Sequence, residues 1–169
     1  IVSPRVSGGG FTPNLLVLGP DPYEPNEFLG TATFLGSGSN LQIQHASIFP
    51  NDREHDGVPA DEDFYRVVAT YTGTLDFQVY FRLFSDDLLP GGGELGIQVI
   101  ASNGNVIGAA GAVPAPIFGA SNDNLSNSGA RVRIPAVAGQ TYFLRVFGEV
   151  IDERTSVAVN GYDATIINT

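Results

Sequence analysis

A ten-residue stretch in the middle of the chain, residues 75–84, constrains the fold most strongly. Its sequence is LDFQVYFRLF, in which apolar side chains recur at every second position and mostly polar ones stand between them. A period of two is that of a β-strand with one face buried, whereas a helix repeats about every 3.6 residues. The stretch therefore predicts a full-length strand whose buried face is formed by Leu75, Phe77, Val79, Phe81 and Leu83.

Shorter segments of the same kind follow one another along the chain, separated by residues that favour turns. Asn103-Gly104 and Asn160-Gly161 are typical of two-residue hairpin turns. The chain also contains 21 Gly and 11 Pro in 169 residues, and we find no convincing helical periodicity. Many short strands joined by frequent turns are typical of sandwiches and barrels. We therefore predict an all-β fold, an antiparallel β-sandwich of jelly-roll or Greek-key type with eight to ten strands.

The first twenty residues differ from the rest of the chain. A glycine triplet, Gly8 to Gly10, forms a flexible joint, and a short apolar run lies between Pro13 and Pro20. We interpret residues 1–20 as an N-terminal arm or linker and residues 21–169 as the β-sandwich domain. The apolar run suits either an edge strand of this domain or a strand donated to a neighbouring subunit. The residues predicted for such self-association are Leu15, Leu16, Val17 and Leu18.

Charge and composition exclude several classes of partner. The formal net charge of -10 argues against nucleic acid and against anionic membrane surfaces, because both attract cationic proteins. No apolar run reaches the roughly 18 residues of a membrane-spanning helix, so we expect no membrane insertion. Without cysteine, disulfides and thiolate metal sites are excluded. Since the chain begins at Ile1, we expect a processed product or an excised domain.

An acidic stretch at positions 52–63 is the main candidate for chemistry. Carboxylates a few ångströms apart repel by about 4 kcal/mol per pair at an effective dielectric near 20, so they are either well solvated or held by a cation. Alternate acids, then Gly57, then a last carboxylate match the spacing of a calcium loop. Position 3 of the loop is Glu rather than Asp or Asn, position 12 is Asp rather than Glu, and no helices flank the loop, so we do not predict an EF-hand. The candidate ligands of this pattern are Asp52, Glu54, Asp56 and Asp63.

Four short motifs together resemble one protein family. They are EPNE at 24–27, DEDFY at 61–65, GQTYFLRVFG at 139–148 and GYDATI at 161–166. This combination resembles the bacterial pre-peptidase C-terminal domain family, to which the collagen-binding domains of clostridial collagenases belong. The resemblance covers about residues 21–169. It implies a secreted β-sandwich and, in some members, calcium held between the first two motifs. Carried over to this sequence, it implies as ligands Glu24, Asn26, Glu27, Asp61 and Asp63.

Both lines of reasoning indicate a cation site in the same quarter of the chain. Nine of the eighteen acidic residues lie between Asp21 and Asp63, beside the single Arg53. Hard oxygen ligands without His or Cys favour calcium over zinc. The longer insertion between the first two motifs leaves open whether one ion or two are bound. An acidic loop that is merely solvated remains the alternative for positions 52–63.

The sequence shows no spacing typical of a catalytic centre, such as a nucleophile elbow, a metalloprotease helix or a phosphate-binding loop. We therefore expect a non-catalytic, extracellular, calcium-binding module. It would serve as a structural or adhesive unit of a surface protein or a self-assembled fibre, in contact with neighbouring domains or with copies of itself. The alternative is a domain that targets a secreted hydrolase to collagen or polysaccharide.

Overall fold

A computed structural model describes residues 20–48, 61–81, 93–111, 113–114, 128–148 and 160–169. These residues form two five-stranded sheets and a single 3-10 turn at Leu29–Thr31. The predicted all-β sandwich is therefore confirmed, and no helix in the described ranges could cross a membrane. The strands are β1 Thr33–Ser37, β2 Asn40–Ile48, β3 Glu62–Val68, β4 Gly73–Phe81, β5 Leu95–Ala101, β6 Val106–Ala110, β7 Val113–Pro114, β8 Ser128–Ala136, β9 Thr141–Gly148 and β10 Asn160–Asn168.

The two sheets are built mainly from strands that are far apart in the sequence. The first sheet has the order β1-β3-β9-β5-β6, and the second has the order β2-β10-β4-β8-β7. Every pairing is antiparallel except β1 with β3, which is parallel. The C-terminal strands β9 and β10 thus lie inside the sheets, each between two partners. Most of the architecture depends on these long-range pairings.

Strand β4 shows why the alternating pattern was informative. Its apolar side chains point into the core, where each is at most 2% exposed. The outward Asp76 is covered by Arg131, whose Nε and Nη2 donate to the two carboxylate oxygens at 2.9 and 2.5 Å. Gln78 accepts a hydrogen bond of 2.6 Å from the Tyr80 hydroxyl. The predicted inward residue Leu83 lies outside the described residues.

The two sheets come closest at β6, an edge strand of the first sheet. A Cβ atom on Gly108 would lie 2.5 Å from Val132 Cγ1 and 2.9 Å from Ile134 Cγ2, both on β8 of the second sheet. Real Cβ atoms are not found at such distances, so a glycine is needed for this approach. The apolar side chains of the two sheets form one continuous buried core.

One of the two predicted hairpin turns is confirmed and the other is wrong. Asn103-Gly104 joins β5 to β6, with Gly104 at a φ of 86° and its N–H bonded to the Ala101 carbonyl at 2.9 Å. Asn160-Gly161 is instead the beginning of β10, paired with Ile48 and Ser47. Asn160 is buried, and its Nδ2 donates to the Gly93 carbonyl at 2.9 Å. This bond satisfies the amide within a strand.

Strands β3 and β10 begin at the same end of the sandwich, which we call the near end, and finish at the far end. Near their beginnings Asp63 and Tyr162 are hydrogen-bonded to each other. At the far end Thr169 exchanges two backbone hydrogen bonds with Thr74, at 2.6 and 3.0 Å. The Asn168 amide there bonds Tyr71 and Thr74. From Tyr162 to Asn168 the strand covers roughly 20 Å at about 3.3 Å per residue.

Two groups of predicted functional residues lie outside the described ranges. They are the apolar run of the N-terminal arm and the first part of the acidic stretch. The predictions for Leu15, Leu16, Val17 and Leu18, and for Asp52, Glu54 and Asp56, therefore stay predictions.

Candidate metal centre

Three carboxylates from two separate segments meet at the near end of the sandwich. Glu24 precedes β1, whereas Asp61 and Asp63 lie at the beginning of β3. One oxygen from each lies within 4.8 Å of the others, so the group could hold a metal ion. Asp61 and Asp63 are 1% and 0% exposed. Because they are two apart on an extended chain, their side chains point to the same side of the strand.

A buried amide accompanies these carboxylates. Asn26 is 0% exposed, and neither its Oδ1 nor its Nδ2 has a hydrogen-bond partner among the described residues. Its backbone links the two segments of the site: its N–H donates to Glu24 Oε2 at 3.2 Å, and its carbonyl accepts from Phe64 N–H at 2.9 Å. A buried polar group without a partner costs about 1–3 kcal/mol. The Oδ1 atom is a neutral oxygen ligand of the kind that calcium accepts.

Two carboxylate oxygens are, like the Asn26 amide, buried without a hydrogen-bond partner among the described residues. Glu24 Oε1 and Asp63 Oδ1 are buried and have no hydrogen-bond donor within the described segments. Buried oxygens of native proteins are almost always paired, so such exceptions need an explanation. A cation coordinated by these oxygens would satisfy them together, and the donor set fits such an ion.

The segment that carries Glu24 and Asn26 is fastened to the sandwich by its neighbours. We call residues 20–28 the leading segment. Asp21 accepts hydrogen bonds from Ser47 N–H of β2 at 2.7 Å and from Tyr23 N–H at 2.8 Å. The Tyr23 hydroxyl accepts from Gln44 N–H, also of β2, at 3.1 Å. These contacts place the leading segment along the free edge of β2.

Asp63 is also held from its other side. The Tyr162 hydroxyl donates to Asp63 Oδ2 at 2.5 Å, and it lies 2.8 Å from the Tyr65 hydroxyl. The Tyr65 ring in turn packs edge-to-face against Tyr23, with centroids 5.6 Å apart. One Asp63 oxygen is therefore fixed by a buried tyrosine pair, while the other remains available to a ligand.

Burial disfavours negative charge on this group of carboxylates. Desolvation raises the pKa of Asp63 to about 9, against the opposing effect of the Tyr162 hydrogen bond; the charges of Asp21, Asp61 and Glu24 raise it further. Burial likewise raises the pKa values of Glu24 and Asp21. A bound cation would reverse this balance, because it favours the ionised carboxylates.

The structure brings together three of the predicted ligands, Glu24, Asp61 and Asp63. A fourth, Asn26, is buried and joined through its backbone to Glu24 and to Phe64. Glu27 lies close enough for its charge to help raise the pKa of Glu24, but its carboxylate is not one of the three that converge. Sequence reasoning assigned no role to Asp21 or Tyr162. The signals available were the DPY triplet just before the EPNE motif and the tyrosine of GYDATI.

No protein-family model and no curated protein matches the chain. Among solved structures, it is similar to the pre-peptidase C-terminal domain of collagenase from Bacillus anthracis. The identity is 13% and the TM-score 0.40, over 80% of this chain and 92% of that one. It is also similar to a β-glucosidase from Paenibacillus barengoltzii, with 11% identity and a TM-score of 0.37, over 80% of this chain and 11% of that one. The site geometry, rather than these similarities, is the basis for a functional proposal.

Proposed function

We propose that the protein is a non-catalytic, calcium-binding β-sandwich module that acts outside the cell as a structural or adhesive unit. The observation that carries the proposal is the convergence of the Glu24, Asp61 and Asp63 carboxylates, together with three buried oxygens that lack hydrogen-bond partners among the described residues: Asn26 Oδ1, Glu24 Oε1 and Asp63 Oδ1. Asp61 completes the carboxylate group.

The donor set favours calcium over other common cations. All the donors are oxygens, which are hard ligands, and the three-carboxylate group contains neither His nor Cys, which zinc usually takes. Magnesium usually retains several waters and binds through only one or two carboxylates. Three carboxylates and an amide in a mostly buried site fit the larger and less hydrated calcium ion better.

The position of the site supports a structural role rather than catalysis. Asp61, Asp63 and Asn26 are at most 1% exposed, so a polymeric substrate could not reach them. An ion bound there would tie the leading segment to β3. The EPNE and DEDFY motifs meet in this site, as the family resemblance implies, and this supports membership of the pre-peptidase C-terminal domain family as part of the proposal.

Calorimetry and thermal unfolding would test the metal. We expect calcium to bind with a dissociation constant of about 10⁻⁴ to 10⁻³ M, as in other extracellular modules. At a hundred times that concentration the folded state should gain about 2.7 kcal/mol. The Asp63→Asn variant should lose most of this gain, whereas Glu94→Gln, an exposed acid outside the site, should keep it. Equal melting temperatures in calcium and in chelator would refute the site.

A second role is favoured by the outer surface of the first sheet. The Arg145 guanidinium lies 4.5 Å from the Phe147 ring centroid and 5.8 Å from that of Phe64, and Glu62 holds it through two hydrogen bonds. The exposed Phe34 ring on β1 has Arg66 stacked at 4.7 Å. Aromatic and guanidinium groups in a row suit the recognition of collagen or polysaccharide by a domain that targets a secreted hydrolase.

Pull-down on insoluble collagen and on insoluble glycans would test this second role. We expect retention that falls when Phe34 is replaced by alanine and that is unaffected by Val137→Ala, an exposed apolar residue elsewhere on the chain. Absence of retention on every matrix would leave the structural role as the only candidate.

A further inference from the structure

The leading segment and the C-terminal residue lie at opposite ends of the sandwich. Asp21 bonds Ser47, which is paired with Gly161 at the beginning of β10. Thr169 is bonded to Thr74 at the beginning of β4, beyond the other end of β10. A tension applied between residues 20 and 169 would therefore act roughly along the strands.

The C-terminal side of the molecule is well placed to resist such a tension. Strand β10 lies between two antiparallel partners, and it is paired with β2 and with β4 along nearly its whole length. Hydrogen bonds of an antiparallel ladder are perpendicular to the strands. A pull along β10 therefore loads many bonds of both ladders at once.

The leading side has no comparable support. Residues 20–32, all of which are described, contain no strand, so no ladder holds them. Their links to the sheets include the Asp21–Ser47 bond and the contact of the Tyr23 hydroxyl with Gln44. The Tyr23 carbonyl also accepts from the Thr33 hydroxyl of β1, the Tyr23 ring packs against Tyr65, and Phe64 N–H donates to the Asn26 carbonyl. The first pairing of β1 with β3 begins only at Thr33. Under tension, these few bonds are loaded first.

The candidate metal centre bridges this weak point. Two of its donors, Glu24 and Asn26, belong to the leading segment, and the other two, Asp61 and Asp63, belong to the start of β3. The fully buried Asn26 side chain, whose oxygen and nitrogen have no partner among the described residues, indicates a ligand independently of the carboxylates. An ion bound by both segments carries load between them in parallel with the hydrogen bonds.

We propose that the cation acts as a force-bearing latch: with the ion bound, a molecule stretched along its strands opens as a whole, and without it residues 20–32 detach first. This inference rests on the proposed calcium site and adds a mechanical role to it. Detachment of these roughly 13 residues would lengthen the molecule by up to about 45 Å at about 3.5 Å per residue.

Single-molecule stretching of the full chain would test the latch. Because the chain contains no cysteine, Pro20→Cys and Thr169→Cys create unique attachment points. In saturating calcium we expect one main unfolding event. In chelator we expect an additional, earlier lengthening of up to about 45 Å, at lower force, before the same main event. Adding Asp63→Asn should produce the early step even in calcium, and adding Glu94→Gln should not.

The stretching and calorimetry results together distinguish a failure of the proposed mechanical role from a failure of the proposed calcium site. An early step of equal size and force in calcium and in chelator would overturn the latch, and so would its absence from both. Calorimetry on the same cysteine-containing chain shows whether calcium binds at all. If calcium binds and the traces are unchanged, the latch is wrong and the proposed site stands; if calcium does not bind, both fail. The chelator experiment needs no substitution at the site, so a poorly folding Asp63→Asn chain would not prevent a decision.

Discussion

Asn26 is the residue whose environment is hardest to explain without a bound ion. It is fully buried, and the oxygen and the nitrogen of its side chain lack partners among the described residues. A buried polar atom without a partner costs about 1–3 kcal/mol. A cation would satisfy Oδ1, whereas Nδ2 is a donor and needs an acceptor. The carboxylates supply no donor when they are ionised, as they would be around a cation; without the ion Asp63, whose pKa is raised to about 9, keeps its proton and can donate. A cation is the simplest group that satisfies this oxygen and the carboxylates together.

Replacing this amide should weaken calcium binding specifically. In Asn26→Ala we expect the calcium dissociation constant to rise about tenfold or more, equivalent to about 1.4 kcal/mol, because one ligand is lost. Isothermal calorimetry measures the change. Asn105→Ala is the matched control, since the Asn105 side chain is exposed in the turn after β5. An unchanged dissociation constant in Asn26→Ala would remove the amide from the site.

The pKa of Asp63 predicts an unusual pH dependence in chelator. In the folded protein this pKa is raised to about 9, whereas in the unfolded chain it is close to 3.9. Between these values the folded state retains a proton that the unfolded state has lost. Stability therefore falls as pH rises, by up to about 1.4 kcal/mol per pH unit for this one group. Calcium should reduce the fall, because the ion replaces the proton.

Urea unfolding at about pH 5 and about pH 8, with and without calcium, measures this effect. The other acids of the chain also titrate, so the comparison that matters is with Asp63→Asn, which cannot lose the proton. We expect the chelator-treated parent to lose more stability between the two pH values than this variant does. Parallel pH profiles for the parent and the variant would contradict the prediction.

At the scale of the elements, the close approach of β6 to β8 makes one glycine critical. A Cβ on Gly108 would overlap the Val132 side chain, as described above. Overpacking of a core costs about 1–3 kcal/mol, and we expect a loss of that size in the unfolding free energy of Gly108→Ala. Gly30→Ala is the control, because a Cβ at that position meets nothing within 4 Å.

A double-mutant cycle would show that the loss arises from this contact. Shortening the opposing side chain with Val132→Ala should restore part of the stability of Gly108→Ala, although Ile134 still limits the space. If the two substitutions simply added their separate costs, overlap with Val132 would not be the cause.

Individual strands could be predicted from the sequence, but their partners could not. The alternation at 75–84 fixed the inward face of β4, because a period of two depends only on the strand itself. The pairing of β3 with β9, or of β2 with β10, joins residues more than 70 positions apart. No local pattern encodes such pairings. The Asn160-Gly161 error has the same origin, since the bond from Asn160 to Gly93 is a tertiary contact.

For the candidate site, the sequence predicted the ligands but not the residues that orient them. Glu24, Asn26, Asp61 and Asp63 were identified through the family resemblance of the EPNE and DEDFY motifs, and the calcium-loop spacing independently indicated only Asp63 among them. The residues that orient them were not identified. Tyr162 is 99 positions from Asp63, and its role depends on β10 lying opposite β3 across the core. Such supporting contacts follow from the packing of the sheets rather than from any sequence pattern.

At the scale of the whole molecule, the predicted N-terminal arm concerns assembly with other copies of the chain. The leading segment runs antiparallel to the edge of β2, with Asp21 at Ser47 and Tyr23 at Gln44. Asp21 therefore lies near the end of that strand, at the near end of the sandwich. This geometry is compatible with donation of the apolar run to a second copy, which would give an open, head-to-tail assembly.

Size-exclusion chromatography in calcium, with and without residues 1–19, tests this assembly. We expect the full chain to form larger species as its concentration rises and the shortened chain to remain monomeric. Leu16→Asp in the full chain should behave like the deletion, because a charge in the apolar run opposes its burial. Monomers in all three samples would rule out self-association through the arm.

The tyrosine cluster beside the carboxylates has one further consequence, an optical one. The chain has six Tyr and no Trp, so its near-ultraviolet absorption depends mainly on tyrosine. Tyr162 is bonded to Asp63 and lies next to Tyr65, whose ring contacts Tyr23. A luminescent lanthanide bound by Asp63 would lie close to the Tyr162 ring, whose hydroxyl bonds that carboxylate, and could receive its excitation energy. If the candidate site binds an ion as proposed, lanthanide emission excited through tyrosine would report its occupancy without any added label.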